Sequence, residues 1–277
     1  MSGWVSRVMI YDLEEQAAFP VLETDMEIAA PNWVPDGSAL IVNGDGSLFW
    51  IDLDQPELLE IDTGLCINLN NDHGLSPDGE TLYFTDHSFG GAARIWRQDL
   101  DTDDDPVEVS RKEPSWFHGI SPDGATICYT AVREGLFGIY TAQADGGHET
   151  CVIAGAHHYD GPDFSADGQW IWFNSDRTGA SELWRVRPDG SGLERMTEDA
   201  MVNWFPHPSP DGDSVVYLAY PEGTVGHPPG MHVELRLWTG TDRPTETLVQ
   251  LTGGQGTINS PSWSPDGQAF AYVEYAP

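Results

Sequence analysis

The chain has 277 residues, of which 12 are Lys or Arg and 45 are Asp or Glu, so its formal net charge is -33 at pH 7. This balance excludes nucleic acid and anionic membrane surfaces as partners, because both are bound by clustered cations that the sequence lacks. Hydrophobic residues make up 39%, with 30 Gly and 20 Pro, a composition too apolar for a disordered acidic chain and typical of an all-β protein rich in turns.

The N-terminus and the cysteines bear on the cellular location of the protein. The N-terminus lacks the apolar core of a signal peptide, and no run of about 18 apolar residues occurs. We therefore expect a cytoplasmic protein, and we expect a monomer. Cys66, Cys128 and Cys151 form no Cys-x-x-Cys pair and are predicted to be buried, reduced thiols. The acidic excess fits either a surface adapted to high salt or an ordinary lysine-poor acidic protein.

A turn signature recurs six times along the chain. Its final glycines are separated by 42, 45, 44, 44 and 55 residues. Ser, Pro and Gly at the first, second and fourth positions favour a type I β-turn. The copies are Val34-Pro-Asp-Gly37, Ser76-Pro-Asp-Gly79, Ser121-Pro-Asp-Gly124, Ser165-Ala-Asp-Gly168, Ser209-Pro-Asp-Gly212 and Ser264-Pro-Asp-Gly267.

Each turn leads into an apolar second strand and then a third strand that carries an apolar-aromatic pair. The first such pair to follow a turn is Phe49-Trp50, and the sixth, Ile10-Tyr11, lies at the other end of the chain. Residues 4–24 must therefore complete the last repeat. The repeat predicts one all-β domain over residues 1–277: a six-bladed β-propeller of four-stranded blades, closed by strands from both termini.

These residues also carry a family resemblance. The Ser-Pro-Asp-Gly turn, the Asn174-Ser-Asp-Arg-Thr-Gly179 hairpin and the apolar-aromatic third strand resemble the propeller repeat of the TolB-like family over essentially the whole chain. Full TolB proteins are periplasmic and have an additional α/β domain, so the resemblance implies a stand-alone propeller without the Tol envelope role. The chain is more distantly similar to oligogalacturonate lyases, whose histidines hold a divalent metal in the channel.

In this repeat the first strand lines the channel, so residues three to five positions before each turn lie roughly 10 to 17 Å from it, near the opposite mouth. At three positions before the turn, His73 and His118 replace proline, and His207 lies two before its turn. Imidazoles, carboxylates, amides and indoles round one mouth suit a hydroxylated ligand. The predicted ligand-binding residues are Asn71, Asp72, Trp116, His158, Tyr159, Trp204, His227 and Asn259.

Four residues are candidates for catalysis: His73, His118, Asp160 and His207. The three histidines are also candidate ligands of a divalent metal such as Mn, Ca or Zn. Structural alternatives stand beside these roles. A lone channel histidine is also compatible with structural hydrogen bonding, Trp116 and Trp204 with packing between blades, and Asp72 and Asp160 with loop capping.

The fifth repeat is about ten residues longer than its neighbours, and the excess lies at residues 221–232. Insertions of this kind map to loops between strands. The segment should emerge on the face where the first strands start. It is either a lid or partner contact, or a tolerated surface excursion.

The sequence predicts two alternative functions. The first is binding or processing of a small molecule or oligosaccharide at the mouth, with a lyase or hydrolase as the enzyme class. With so few cations, a neutral, hydroxyl-rich ligand fits better than a polyanion. Asp72 and Asp160 lie two blades apart, so we expect no carboxylate pair for retaining hydrolysis. The alternative is a non-catalytic interaction propeller that grips a partner peptide.

Overall fold

The structure, a computed structural model, describes residues 4–241 and 243–276. Within those residues the chain forms 23 β-strands and no helix, so none is available there to cross a membrane. Two N-terminal strands come first, β1 (Val5–Asp12) and β2 (Ala17–Thr24). Five antiparallel sheets of four strands follow in chain order, and in each the strands lie side by side from the channel outward.

The strands of these five blades have the following bounds. Blade 1 contains β3 (Ile28–Trp33), β4 (Ala39–Gly44), β5 (Ser47–Asp52) and β6 (Leu59–Ile61). Blade 2 contains β7 (Leu69–Leu75), β8 (Thr81–Asp86), β9 (Arg94–Asp99) and β10 (Val107–Glu108). Blade 3 contains β11 (Ser115–Ile120), β12 (Thr126–Arg133), β13 (Leu136–Gln143) and β14 (Thr150–Gly155). Blade 4 contains β15 (Tyr159–Phe164), β16 (Ile171–Ser175), β17 (Glu182–Val186) and β18 (Glu194–Arg195). Blade 5 contains β19 (Val202–Pro208), β20 (Val215–Tyr220), β21 (Met231–Trp238) and β22 (Glu246–Gly253).

Blade 6 joins the two ends of the chain. Its last strand in sequence, β23 (Ala269–Ala276), pairs with β1, which pairs with β2. The innermost position is taken by a short segment in which Trp263 bridges to Phe270. The prediction that residues 4–24 complete the last repeat is confirmed, and the fold is the predicted six-bladed propeller.

The recurring turns have one construction. In five of them the first-position serine hydroxyl donates to the Asp carboxylate, as Ser121 does to Asp123 at 2.5 Å, and accepts the backbone N–H five residues on. The turn glycines have φ of 67 to 80°, which favours glycine. In the first repeat Val34 replaces serine, and Ser38 donates to Asp36 at 2.6 Å instead.

The core lies between the blades rather than within one layer. Six buried apolar clusters in the described residues each unite two neighbouring blades. The cluster between blades 6 and 1 joins Val8 and Val273 to Ile28, Leu40 and Val42. Burial of this kind is the main favourable term in folding, so each blade depends on both neighbours.

The two ends of the channel differ. The turn side has a depression of about 380 Å³ whose lining includes the prolines of five turns together with Trp33 and Trp263. The opposite side receives the long loop between β20 and β21, as predicted, because His227 of that loop lines a cavity with inner-strand residues. Cys66 and Cys128 are buried free thiols as predicted, but the prediction was wrong for Cys151, which is exposed on the outermost strand β14.

Candidate functional site

The inner strands carry irregularities at similar depths in the channel. A β-bulge bends a strand and re-aims its side chains, and bulges are common beside binding sites. Because they recur in five blades, they bring residues distant in sequence to one level of the ring. The register shifts lie at Ala29/Asn32, Leu69/His73, Phe117/Gly119, Asp160/Asp163 and Trp204/His207.

Two of these bulges contain a left-handed residue beside the cavity. Gly161 has φ 57°, and a Cβ there would lie 3.0 Å from both Asn174 Oδ1 and Phe205 Cδ1. Phe205 itself has φ 53°, and its N–H donates to Asn174 Oδ1 at 3.1 Å. A bulky residue at positive φ costs about 1–3 kcal/mol and persists only where its surroundings hold it. Blade 4 therefore holds Phe205 of blade 5 in place at the site.

A cavity of about 280 Å³ opens at the mouth opposite the turns. Its lining comes from blades 2 to 5 and from the segment that precedes blade 6. Carboxylates, imidazoles, amides and one hydroxyl share it with three aromatic rings. The lining residues are Asn70, Asp72, Trp116, His118, Thr130, Phe137, His158, Asp160, Phe205, His227, Gln255 and Asn259.

The Asp160 carboxylate makes several polar contacts within this lining. Its Oδ1 accepts hydrogen bonds from Thr130 Oγ1 and from the Gly161 N–H, both at 2.9 Å. His118 Nε2 lies 3.3 Å from the same oxygen, and His227 Nε2 lies 3.9 Å from Oδ2. Residues of blades 3, 4 and 5 thus meet at one carboxylate.

Burial and neighbouring charges shift the pKa values of Asp72, His118 and Asp160. Burial opposes ionisation of Asp160, but the hydrogen bond from His118 and the nearby imidazoles outweigh it and lower the Asp160 pKa well below its usual value. Burial also opposes the charge on His118, yet the Asp72 and Asp160 carboxylates raise the His118 pKa. Burial raises the pKa of Asp72. The cavity therefore favours a protonated His118 imidazole more than usual beside the ionised Asp160 carboxylate, next to a carboxyl that retains its proton more readily than usual.

Aromatic rings form one side of the mouth. Trp116 stacks on Phe137 with centroids 6.3 Å apart, and Phe137 contacts His158 at 4.4 Å. Phe205 and His227 meet edge to face at 5.3 Å. The cavity is thus polar at Asp72, His118 and Asp160 and apolar along these rings.

Comparison with known proteins identifies the family. A family model described as the TolB beta propeller domain matches residues 90–227. An uncharacterised protein of Agrobacterium fabrum is 43% identical over 273 residues, which are 98% of this chain and 93% of that one. A solved structure of a TolB-like protein from Agrobacterium tumefaciens has a TM-score of 0.96 and 42% identity, covering 99% of each chain. The chain belongs to the TolB-like β-propeller family.

A more distant member of the same fold is an oligogalacturonate lyase in complex with manganese. It has a TM-score of 0.60 at 15% identity and covers 88% of this chain and 70% of its own. At this identity the similarity shows the fold alone. The site of the present TolB-like chain therefore has to be interpreted from its own residues.

Seven of the predicted site residues line the cavity of this TolB-like propeller: Asp72, Trp116, His118, His158, Asp160, His227 and Asn259. Asn71 is half-buried and contributes a backbone carbonyl, which accepts from Ser260 Oγ at 2.9 Å. Tyr159 is buried in the core between blades 3 and 4. Trp204 lies in the lining of a neighbouring cavity.

Two predicted catalytic histidines lie outside the cavity lining. His73 is fully buried with Nε2 3.2 Å from the carbonyl of Ile41, and burial lowers its pKa to about 4. His207 has Nδ1 3.0 Å from Asp163 Oδ2 and Nε2 2.7 Å from the carbonyl of Ile258. These contacts fit the structural alternative for both residues.

The predicted metal ligands were His73, His118 and His207. His73 contacts the carbonyl of Ile41 and His118 contacts Asp160, each through Nε2, while His207 contacts Asp163 and the carbonyl of Ile258. No group of three or more His, Cys, Asp or Glu residues is arranged to hold an ion in the part of the chain that the structure describes. The residues present do not fit the divalent metal that the lyase resemblance implied.

The two carboxylates of the site come from blades that are not adjacent. Asp72 lies on blade 2 and Asp160 on blade 4. Both line the one cavity, and the Asp160 charge contributes to the raised pKa of Asp72. His118 of blade 3 lies within the influence of both carboxylates. That Asp72 and Asp160 do not form the pair used in retaining hydrolysis stays a prediction.

Five lining residues were missed as site residues: Asn70, Thr130, Phe137, Phe205 and Gln255. Thr130 and Phe137 lie on the second and third strands of blade 3, outside the columns counted back from the turns. Phe205 was noted only as an intervening residue. A sequence signal did exist for Asn70, which precedes Asn71 and Asp72 in one polar run.

Proposed function

We propose that this protein binds a compact, hydroxyl-rich ligand of carbohydrate type at the channel mouth, over Asp72, His118 and Asp160. One observation carries the proposal: the cavity pairs ionic hydrogen-bonding groups with aromatic rings. Sugar hydroxyls need both donors and acceptors, and the C–H face of a sugar ring packs on aromatic side chains. The cavity volume of about 280 Å³ suits a single ring, since drug-sized sites start at about 300 Å³.

The charge of the site narrows the ligand class. Two Asp residues line the cavity, and its lining contains no Lys or Arg. The chain as a whole carries a charge of -33. A uronate would therefore meet repulsion both at the site and in the surrounding field. A neutral sugar or an amino sugar is the favoured ligand.

A catalytic role would use the same groups. His118 has a raised pKa and can donate a proton, while ionised Asp160 holds and orients its ring. This is the arrangement of a general acid held by a carboxylate. If the protein is an enzyme, we expect a hydrolase or lyase acting on a sugar bond placed over His118.

The proposal is tested by calorimetric titration with glucose, galactose, mannose, glucosamine and glucuronate, each with and without Mn²⁺, Ca²⁺ or Zn²⁺. We expect a neutral or amino sugar to bind without metal and glucuronate to bind at least about tenfold more weakly. Trp116→Ala should reduce the affinity about tenfold by removing the ring contact. Trp170→Ala is the matched control, because Trp170 is another half-buried tryptophan and lies on blade 4 away from the cavity lining.

Failure of every sugar to bind folded protein would overturn the proposal, and so would normal sugar binding by the Trp116 variant. In that case the alternative of a partner peptide becomes the favoured function. It would be detected by titrating the same protein with extended peptides.

A further inference from the structure

A second cavity of about 360 Å³ adjoins the first. The two share His158 and His227 in their linings. The remaining lining is largely apolar or small, with polar groups only at Asp176, Ser181 and Thr224. Its apolar side chains are Ala180, Val202, Trp204 and Val225.

The two shared imidazoles form a wall between the cavities. On the first side His158 contacts Phe137, with centroids 4.4 Å apart, and His227 contacts Phe205 at 5.3 Å. On the second side both contact Trp204, at 5.7 Å for His158 and 4.4 Å for His227. The wall is therefore one side chain thick.

One of the two wall residues, His227, belongs to the long loop of blade 5. His227 is about one-third exposed, and it belongs to the segment between β20 and β21. The loop has its own internal bonds, since Thr224 donates its N–H and its hydroxyl to the carbonyl of Pro221 at 3.2 and 2.7 Å. Gly223 and Gly226 have positive φ within it. Motion of this loop would move His227 and so change the wall between the cavities.

Unpartnered polar atoms lie in the wall. The indole nitrogen of Trp204, which is 5% exposed, and Nδ1 of both His158 and His227 are buried without a hydrogen-bond partner among the described residues. A buried polar group left unpaired is costly. In a ligand that crosses the wall, a polar linking atom such as a glycosidic oxygen would supply a partner for these donors.

Val225 adds a second observation. This valine lies in the cavity lining yet is 92% exposed, and among the exposed large apolar side chains of the described residues Leu65 follows at 77%. An apolar group in the cavity would cover it and Trp204 together, and removal of such surface from water favours binding.

We propose that the second cavity is a subsite for an apolar or aromatic substituent joined to the sugar, so that the ligand class is a glycoside with an apolar aglycone. The inference rests on the proposed function, because the sugar ring occupies the first cavity. The aglycone would pass between His158 and His227 and pack on Trp204, Val202 and Val225.

The experiment compares methyl and phenyl glycosides of glucose, galactose, mannose and glucosamine by calorimetric titration. For the sugar that binds, the phenyl glycoside should bind wild-type protein about tenfold more tightly than the methyl glycoside. Val225→Asp should remove this difference and leave the methyl glycoside unaffected. Val107→Asp is the matched control, because Val107 is an exposed valine on β10 of blade 2.

A Trp204→Ala variant should also lose the phenyl advantage, and Val225→Asp keeps the test valid if the buried tryptophan is needed for folding. Equal binding of methyl and phenyl glycosides would overturn the subsite and leave the proposed function standing. A phenyl advantage that survives Val225→Asp would also overturn it. Absence of binding by both glycosides would overturn the proposed function and the subsite together.

Discussion

Asp160 receives hydrogen bonds or ion-pair contacts from Thr130, Gly161 and His118 on one carboxylate oxygen. Asp160→Asn keeps most of the shape but removes the charge that faces His118. We expect the His118 pKa to fall, because one of the carboxylates that raise it is lost. Stability should drop by about 3 kcal/mol, as when one partner of a buried ion pair is removed. Imidazole NMR titration and urea unfolding measure the two effects, and an unchanged His118 pKa would contradict this account of the site.

Glu149 in blade 3 is a second carboxyl whose pKa is strongly lowered. Burial opposes its charge, but Arg133 at 2.6 Å, Lys112 at 2.9 Å and the Tyr129 hydroxyl at 2.9 Å lower its pKa to about 2. A carboxyl with a depressed folded-state pKa stabilises the fold above its unfolded-state pKa and loses that contribution as the pH falls.

Glu149→Gln should therefore destabilise the protein at pH 7 by about 1 kcal/mol, reduced by solvent screening of this partly exposed group. The difference from wild type should persist down to pH of about 4.5 and shrink as the pH approaches 2. Urea unfolding over this pH range measures it. Glu222→Gln, at an exposed position in the long loop, is the control and should change little, and a Glu149 effect that grows toward low pH would contradict the assignment.

Counting back from the turns located some site residues and misplaced others, for one physical reason. His73 and His118 occupy the same position before their turns, yet only His118 lines the cavity. In blade 2 the register shift lies between Leu69 and His73, whereas in blade 3 it lies between Phe117 and Gly119. The same sequence position therefore falls at different places relative to the bulge. Bulge position depends on contacts between blades, which spacing from a turn does not encode.

Among the elements, β1 has the clearest structural role. It pairs with β23 along its full length, from Val5 with Ala276 to Asp12 with Ala269. The displaced Ile10-Tyr11 pair predicted this closure, because it was the sixth copy of a third-strand pattern. The long blade 5 loop was also placed on the correct face, since loops that join second and third strands emerge where first strands start. Its contact with Asp160 through His227 could not be predicted, because loop conformation is not set by a repeat.

Closure by β1 gives a stability prediction. Val8 is fully buried between blades 6 and 1, so Val8→Ala should lower the free energy of unfolding by about 2 kcal/mol. Val107→Ala, on the outer strand β10 with 53% exposure, should change it by less than about 0.5 kcal/mol. Urea unfolding compares them. Equal effects of the two substitutions would contradict the role of β1 in closing the ring.

For the whole molecule, a charge of -33 implies strong self-repulsion that salt screens. The melting temperature should rise between about 0.05 and 1 M NaCl, because screening lengths fall over this range. Differential scanning calorimetry measures the change. A melting temperature that falls with added salt would contradict self-repulsion as the dominant long-range term.

The six-bladed architecture was predictable because one pattern recurs six times, and each copy is a turn whose residues have strong conformational preferences. The site was predictable only in outline, as a polar and aromatic set at the mouth opposite the turns. Its members come from five blades or segments, and their mutual distances depend on how far the inner strands converge. Asp72 and Asp160 line one cavity, in agreement with their predicted place at one mouth, although a blade lies between them.

NMR mapping with a binding sugar shows whether the ligand occupies the mouth opposite the turns, using protein labelled at its tryptophan indoles and histidine imidazoles. We predict that the signals of Trp116 and His118 move together on titration, while those of Trp33 and Trp263 on the turn side stay in place. Movement of Trp33 and Trp263 with Trp116 and His118 unchanged would contradict ligand binding at that mouth.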